Sequence, residues 1–170
     1  MNDSTTATPI TPQDRAHLRR CVALAAEALN EGDEPFGSVL VDASGTVLFE
    51  DRNRVKGGDG TRHPEFEIAR WAAANVAPDA RRGCVVYTSG EHCPMCSAAH
   101  AWVGLGRIVY AVSSEQLTAW RREWGAPPSP VAPLPIQVVA PGVPVSGPDP
   151  ELAAEVRALH ARSLGLAEPR

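Results

Sequence analysis

The spacing of apolar side chains predicts helices and short strands along the first half of the chain. Over residues 14–30, apolar side chains recur at helical spacing and Gly32 follows them, which predicts an amphipathic helix. Two apolar runs, 36–42 and 47–51, flank an Ala-Ser-Gly-Thr turn and predict a β-hairpin. A second helix is expected over residues 64–76, because its first residue is a proline, which the first turn of a helix accommodates.

The second half continues the pattern up to a segment that is rich in proline. A buried strand is predicted at residues 85–87, a helix beginning near Pro94, and another strand at residues 107–112. Within the proline-rich residues 125–150, the apolar run 136–139 is predicted to be an edge strand, because its flanking prolines cannot join a ladder interior. A last helix is expected to open at Asp149-Pro150-Glu151 and to run through Leu164.

Length and composition fit a single domain. The chain has 170 residues, 44% of them hydrophobic and 21% charged, and no internal repeat is evident. We expect a flexible tail over residues 1–12 and one domain over residues 13–170, which includes the proline-rich segment and the last helix. The N-terminus lacks a secretory signal and no apolar run is long enough to span a membrane, so a cytoplasmic protein is predicted.

The formal net charge of −4 argues against nucleic acid as a partner. Proteins that bind through phosphate groups usually show a basic stripe, and no basic block occurs in this chain. The last predicted helix instead opens with Asp149, Glu151 and Glu155. The charge pattern therefore favours a small-molecule substrate.

Four residues have the chemistry of a catalytic metal site. His63 precedes Glu65 by two positions, and Cys93 and Cys96 form a Cys-x-x-Cys pair. Imidazole and thiolate suit zinc, and a catalytic Zn²⁺ takes three protein ligands and leaves the fourth position to water. His63, Cys93 and Cys96 supply three ligands, and Glu65 is placed to act on the water. Apart from one proline, this is the zinc nucleobase deaminase signature, H-x-E followed by P-C-x-x-C.

Alternatives remain for the cysteines and for the metal. Cys21 and Cys84 lie in apolar stretches and are predicted to be core residues. His92 is the one candidate for a fourth ligand, and with it the site would be a structural zinc site in an interaction module. Cys93 and His63 both precede predicted helices, whose N-termini favour anionic groups such as thiolates.

Several further motifs make the chain resemble the cytidine deaminase superfamily, in particular its guanine deaminases, cytosine deaminases and tRNA adenosine deaminases. The resemblance covers residues 14–112 and rests on Pro35-Phe36-Gly37, Asn53-Arg54-Val55, His63-Pro64-Glu65, Tyr87-Thr88-Ser89, Glu91-His92-Cys93-Pro94-Met95-Cys96 and Trp102. It implies an α/β fold of three layers, αβα, with a central mixed five-stranded sheet and helices on both faces. It also implies a zinc ion on His63, Cys93 and Cys96, Glu65 as proton shuttle, and a homodimer.

The resemblance further implies four contacts to the substrate. Asn53 would hydrogen-bond it, Phe36 would pack on its ring, and Trp102 would line the pocket. Glu123 lies where guanine deaminase-like members place a carboxylate for the base. Two readings stay open, since Asn53 could instead cap a turn, and Phe36 or Trp102 could be core residues only.

Two departures from the family pattern bear on the substrate. Pro64 replaces the usual alanine and lacks the N–H that relatives direct at the substrate. His92 replaces the usual proline and brings a titratable donor close to the metal, as support for the ligands or as a substrate contact.

These patterns predict a zinc-dependent hydrolytic deaminase that releases ammonia from a free nucleobase or a similar amino-heterocycle, of the guanine, cytosine or aminotriazine type. A tRNA adenosine deaminase is the alternative within the family, and the zinc-stabilised interaction module is the alternative from another class. The C-terminal segment is predicted to cover a pocket, and Trp120 and Trp124 are predicted to belong to a lid or an interface.

Overall fold

The computed structural model describes residues 8–166, and its centre is one mixed sheet with the strand order β2-β1-β3-β4-β5. Strands β1 to β5 are Gly37–Val41, Val47–Arg52, Val85–Gly90, Ile108–Val112 and Val145–Ser146. Helices α1 to α6 are Pro12–Asn30, Pro64–Asn75, Pro94–Val103, Ser114–Glu123, Ile136–Val139 and Ala153–Ser163. Strand β1 runs antiparallel to β2 and β3, whereas β3, β4 and β5 are parallel.

Helices cover both faces of the sheet, as the buried residues of β1 show. Val39 and Val41 belong to a core cluster with residues of α1 and α6. Leu40, which points to the opposite face, belongs to a second cluster with Ile68 and Ala72 of α2. The predicted three-layer α/β fold is therefore confirmed.

The N-terminal part of α1 is closely tied to the domain. Thr11 begins the helix with a capping box, in which its side chain accepts from the Asp14 amide and the Asp14 carboxylate accepts from the Thr11 amide. Ile10 packs against the first core cluster. Residues 1–7 of the predicted tail lie outside the described residues, whereas Ile10 and Thr11 belong to the folded part.

Asp14 joins α1 to the sheet through a buried polar network. Its carboxylate accepts from the Tyr87 hydroxyl at 2.8 Å and from Arg107 Nη2 at 3.1 Å. Burial raises the pKa of this carboxyl, but hydrogen bonds from Thr11, Tyr87 and Arg107 outweigh burial and hold the pKa below its ordinary value. Arg107 also donates to Ser146 of the edge strand β5 at 3.0 Å, so one carboxylate links three elements of the fold.

The predicted edge strand at residues 136–139 is wrong. These residues form the short helix α5, and the edge strand is β5, which pairs with β4 through Ile108 and Val145. The physical reason is tertiary. Ile136 is buried against Ile108 and Tyr110, and its amide donates to the Glu91 carboxylate at 2.9 Å instead of to a strand.

Helix α4 was not predicted from the apolar pattern. Ser113 begins it with a capping box to Gln116, a local signal that the sequence contains. Trp120 packs against the core, and Arg157 of α6 lies over the rings of Trp120 and Trp124 at 5.9 and 5.3 Å. The two tryptophans therefore pack within the chain.

The last helix forms close to where it was predicted, as α6. The segment that precedes α6 is anchored by Asp149, which is fully buried and accepts from Arg15 Nε at 2.7 Å. No helix in the described range 8–166 is both long and apolar enough to cross a membrane.

Candidate active site

His63, Cys93 and Cys96 lie together at the N-termini of two helices. His63 is the N-cap of α2, Cys93 is the N-cap of α3, and Cys96 lies in the first turn of α3. The Sγ atoms are 3.5 Å apart and lie 3.6 Å (Cys93) and 3.7 Å (Cys96) from His63 Nδ1. A zinc tetrahedron with ordinary bond lengths has edges of roughly 3.5–3.8 Å. The three donors therefore fit a zinc ion without rearrangement.

The surroundings of the two thiols favour a thiolate. A hydrogen bond between the Cys93 and Cys96 sulfurs, with others from His63 and the Cys96 amide, lowers the pKa of Cys93 to about 4. The pKa of the Cys96 thiol is raised by the same hydrogen bond and by burial, so this thiol keeps its proton. Zinc binding would displace that proton. Among the described residues, no fourth histidine, cysteine or carboxylate joins this cluster, as a catalytic site requires.

Glu65 lies beside the three ligands in the first turn of α2. It is buried, with Oε2 3.9 Å from Cys96 Sγ and Oε1 2.8 Å from the Thr88 hydroxyl. Burial raises the pKa of its carboxyl. A carboxyl whose pKa is raised holds a proton more readily near neutral pH, which is what a general acid–base group needs.

The Thr88 hydroxyl can support Glu65 in both protonation states. Its oxygen accepts from Ser38 Oγ at 2.9 Å, and it lies 2.9 Å from the Gly90 carbonyl, which can only accept. When Glu65 is ionised, Thr88 donates to it. When Glu65 is protonated, it can donate to Thr88, which then donates to Gly90.

A cavity of about 310 Å³ opens beside this cluster. One side is formed by Phe36, His63, Glu65 and Cys93, and the other by α4, the end of α6 and the exposed residues 127–133, which we call the proline wall. Phe36 packs edge-on against His160 of α6, with ring centroids 4.9 Å apart. Gly90 makes room for Phe36, because a Cβ at that position would lie 3.0 Å from the ring.

Glu91 holds the far side of the cavity against the cysteine motif. Its carboxylate accepts from the Ser114 amide, at the start of α4, at 2.8 Å and from the Ile136 amide, just after the proline wall, at 2.9 Å. Residues 114–136, which include α4 and the proline wall, are therefore held at both ends by one side chain, that of Glu91, two residues before Cys93.

The remaining predicted substrate contacts divide into three groups. Phe36 lines the cavity. Asn53 and Pro64 are buried near the cluster without lining the cavity. Asn53 Oδ1 accepts from the Val55 amide at 3.1 Å, as expected of a residue that caps a turn. Asn53 Nδ2 has no hydrogen-bond partner among the described residues. Trp102 and Glu123 lie elsewhere.

Trp102 and Glu123 do not line this cavity. Trp102 is 89% exposed, because it lies on the solvent side of α3 while Cys96 and His100 face inward. Glu123 lies on the other side of α4 from the cavity and pairs with Arg157 at 2.8 Å.

His92 does not line the cavity either. It is buried behind the cysteine motif, with its ring edge-on to His100 at a centroid distance of 5.5 Å. Neither ring nitrogen has a hydrogen-bond partner among the described residues. Its position next to Cys93 is that of a residue supporting the ligands, one of the two roles predicted for it.

Arg121 on α4 and His160 on α6 line the cavity and were missed. The proline wall also lines it, and there the prediction was only that the C-terminal segment covers a pocket. Positions 114, 117, 118 and 121 recur at helical spacing and all line the cavity, so they share one face of α4. That periodicity was present in the sequence. Because these positions carry both polar and apolar residues, the pattern of apolar residues does not reveal this face of α4.

Comparison with known proteins identifies the class. A model of the cytidine and deoxycytidylate deaminase zinc-binding region matches residues 11–112, so the chain belongs to this family of deaminases, which are hydrolases. It is 34% identical over 125 residues to a probable cytosine deaminase of Schizosaccharomyces pombe, covering 72% of this chain and 74% of that protein.

Two guanine deaminases are also similar. That of Bacillus subtilis is 38% identical over 96 residues, which cover 55% of this chain and 61% of that protein. The structure of guanine deaminase from Nitrosomonas europaea matches with a TM-score of 0.65, covering 94% of this chain and 90% of that one. Its identity is 20%, so this second likeness concerns the fold alone.

Proposed function

We propose that this chain is a zinc-dependent deaminase that releases ammonia from a free nucleobase or a similar amino-heterocycle. The observation that carries the proposal is the cavity of about 310 Å³, which has the His63–Cys93–Cys96 cluster and Glu65 on one side and the proline wall on the other. Its size lies at the small end of the usual range for ligand pockets. The names of the relatives, cytosine deaminase and guanine deaminase, agree with a substrate of this size.

His63, Cys93 and Cys96 would hold the zinc ion, and His63 and Cys93 line the cavity. When bound there, zinc supplies Lewis-acid activation of a water molecule at neutral pH. Glu65 takes a proton from that water as its oxygen bonds to the amino-bearing ring carbon. Glu65 then gives the proton to the amino nitrogen, the carbon–nitrogen bond breaks and ammonia leaves. The remaining hydroxyl proton moves to the adjacent ring nitrogen, which leaves a carbonyl on the ring.

The ring would stack on Phe36, and the Asn53 amide, which does not line the cavity, would have to turn towards the ring to donate to it. Phe36 offers an aromatic surface beside Glu65. Asn53 Nδ2 is a buried donor without a partner among the described residues, and such groups are costly unless a ligand satisfies them. Pro64 contributes no N–H at the start of α2, so a substrate acceptor near that position needs another donor, such as Asn53.

A tRNA adenosine deaminase is the competing function, since proteins with that name are among the relatives. The proline wall argues against it, because a base on a folded RNA would have to pass residues 127–133 with its backbone attached. The net charge of −4 adds no attraction for phosphates.

The deciding experiment is an ammonia-release assay on the zinc-loaded protein. We expect turnover of at least one free base from a panel containing guanine, cytosine and aminotriazines, and none of tRNA. Release from tRNA alone would overturn the free-base proposal. An interaction module would release ammonia from none of them, although it would bind zinc.

We also propose a homodimer that uses the surface around Trp102. A tryptophan that is 89% exposed is unusual on a monomer, and α3 offers it on a face that no other described element covers. Trp102→Ser should then sediment as a monomer with its zinc retained, whereas Val47→Ser, at another exposed apolar residue, should not. A monomeric wild type at micromolar concentration would rule the dimer out.

A further inference from the structure

The part of the cavity lining that α4 and α6 contribute is polar in a specific way. Helix α4 contributes Ser114, Thr118 and Arg121 from one face, and α6 contributes His160 and Ser163. Hydroxyl, imidazole and guanidinium groups can all donate hydrogen bonds. We call this set the donor face of the cavity.

His160 distinguishes the donor face from an ordinary exposed polar surface. The side chain is 3% exposed and lies against Phe36, at the boundary between the two sides of the cavity. Its Nε2 has no hydrogen-bond partner among the described residues. Burial, and secondarily the charge of Arg121, lowers the pKa of His160 to about 4, so the ring is neutral at pH 7.

Arg121 brings a positive charge that no carboxylate neutralises. Its one hydrogen bond among the described residues goes to the Pro127 carbonyl at 3.3 Å, and it forms no ion pair within that part of the chain. Glu91, which also lines the cavity, is already satisfied by two backbone amides. Glu34 lines it too, but is exposed to water.

Glu123 and Arg121, two residues apart on α4, face different parts of the molecule. The family resemblance implied a carboxylate at Glu123, which would receive the N–H groups of a base. In this chain Glu123 turns away to Arg157, and Arg121, two residues earlier, lines the cavity instead. The far side of the cavity therefore presents donors where a carboxylate was expected.

We propose that the donor face selects amino-heterocycles that carry a hydrogen-bond acceptor, a ring oxo or carboxylate oxygen, on the edge away from the reacting carbon. Arg121 and His160 determine this specificity, with the acceptor bound by the guanidinium. The inference rests on the proposed function and deepens it. A substrate with an amino group in that place would present a hydrogen-bond donor to the donor side chains of the protein. Arg121 would then have no acceptor from the substrate, which lowers the affinity for that substrate by roughly 5- to 150-fold.

The test compares two ligands that differ in that one group, 4-amino-2-oxopyrimidine and 2,4-diaminopyrimidine. Binding is measured by titration calorimetry to the zinc-loaded Glu65→Gln protein, so that preference is read without turnover. We expect tighter binding of the oxo compound by that factor. The ratio of the Kd of the diamino compound to that of the oxo compound should fall towards one in Glu65→Gln/Arg121→Gln. In Glu65→Gln/His160→Phe this ratio should fall in part. Arg122→Gln, at an exposed neighbour outside the cavity, is the matched control.

Each outcome bears on one claim. An equal ratio in the Arg121→Gln and Arg122→Gln backgrounds, or tighter binding of the diamino compound, overturns the donor-face assignment even if the enzyme deaminates both. If neither pyrimidine binds, the same oxo and amino pair is measured on a purine, guanine against 2,6-diaminopurine, and the same criteria apply. Absence of binding by all four compounds overturns the assignment, whereas absence of ammonia release from every base in the panel overturns the proposed function.

Discussion

The two sides of the cavity are built in different ways. The catalytic side comes from two short motifs, each at the N-terminus of a helix, and the buried strand β3 delivers Thr88 to Glu65. The donor face comes from α4 and α6, and the proline wall beside it is exposed along its whole length. The positions of the three metal-site residues are thus set by the starts of two helices, whereas the proposed selection of the substrate would depend on a segment that is tied back to them at few points.

Because the two sides are built from different elements, substitutions can change the chemistry of the catalytic side and the shape of the donor face independently. Movement of α4 or the wall alters the far edge of the substrate site without displacing His63, Cys93 or Cys96. Two contacts join the two sides: the edge-on packing of Phe36 against His160, and the Glu91 carboxylate, which holds Ser114 and Ile136 next to the cysteine motif. Variants on each side, and at Glu91, should therefore give distinct kinetic signatures.

The largest effect is expected on the catalytic side, at a metal ligand. Cys93→Ser replaces a thiolate by a hydroxyl that stays protonated, so zinc binding should drop well below one per chain and ammonia release should disappear. Metal analysis and the release assay check this together. Cys84→Ser, at a buried thiol outside the cluster, should keep its zinc, and a Cys93→Ser protein with full zinc and turnover would contradict the assignment.

The next effect separates the proton shuttle from the metal. Glu65→Gln cannot take up the water proton, so turnover should fall by ~10²–10⁴-fold while zinc content is unchanged. Glu67→Gln is the matched control, because Glu67 is on the same helix, half-buried, and pairs with Arg62 at 3.4 Å. Near wild-type turnover in Glu65→Gln would remove this residue from the mechanism.

A smaller effect is expected at the Glu91 link between the two sides. Glu91→Gln keeps one acceptor oxygen and loses the other, so either Ser114 or Ile136 loses its partner and α4 with the wall is held less firmly. KM should rise roughly tenfold with kcat and zinc content nearly unchanged. Hydrogen exchange at the Ser114 and Ile136 amides should be faster. Exposed Glu115→Gln serves as control, and a fall in kcat with constant KM would place Glu91 on the catalytic side instead.

The smallest effect on activity is expected from a change that belongs to neither side. Asp14→Asn weakens the network with Tyr87 and Arg107 and should cost about 1–3 kcal/mol of unfolding free energy at pH 7, with kcat per folded enzyme unchanged. The pKa of Asp14 is lowered in the folded state, so its contribution is present above the unfolded pKa and is lost as pH falls through the folded one.

Urea unfolding at several pH values checks the sign of this contribution. The stability difference between wild type and Asp14→Asn should be greatest near neutrality and should shrink below about pH 4. Asp79→Asn, at an exposed position, should follow the wild-type curve. A difference that grows on acidification would show that the Asp14 carboxylate does not stabilise the fold.

The sequence by itself determined the parts of this protein that short-range rules govern. Helical and strand periods gave α1, the β1–β2 hairpin, α2, β3, α3 and β4, because one amphipathic face must meet the core in each. The grouping of His63, Cys93 and Cys96 followed from residue types and spacing, since both motifs precede helices whose N-termini meet in the fold. The proline at position 64 marked the start of α2 for an equally local reason.

Tertiary structure alone decided which side chains face the substrate. Trp102 and Glu123 have residue types suited to a pocket, but the packing of α3 on α2 and of α4 beside α6 turns them away from it. The run at residues 136–139 is apolar enough for a strand, but a buried site for Ile136 and the Glu91 carboxylate make it a helical turn. His160 reaches Phe36 across more than a hundred residues, and no local pattern encodes a contact that arises only when α6 docks on the sheet.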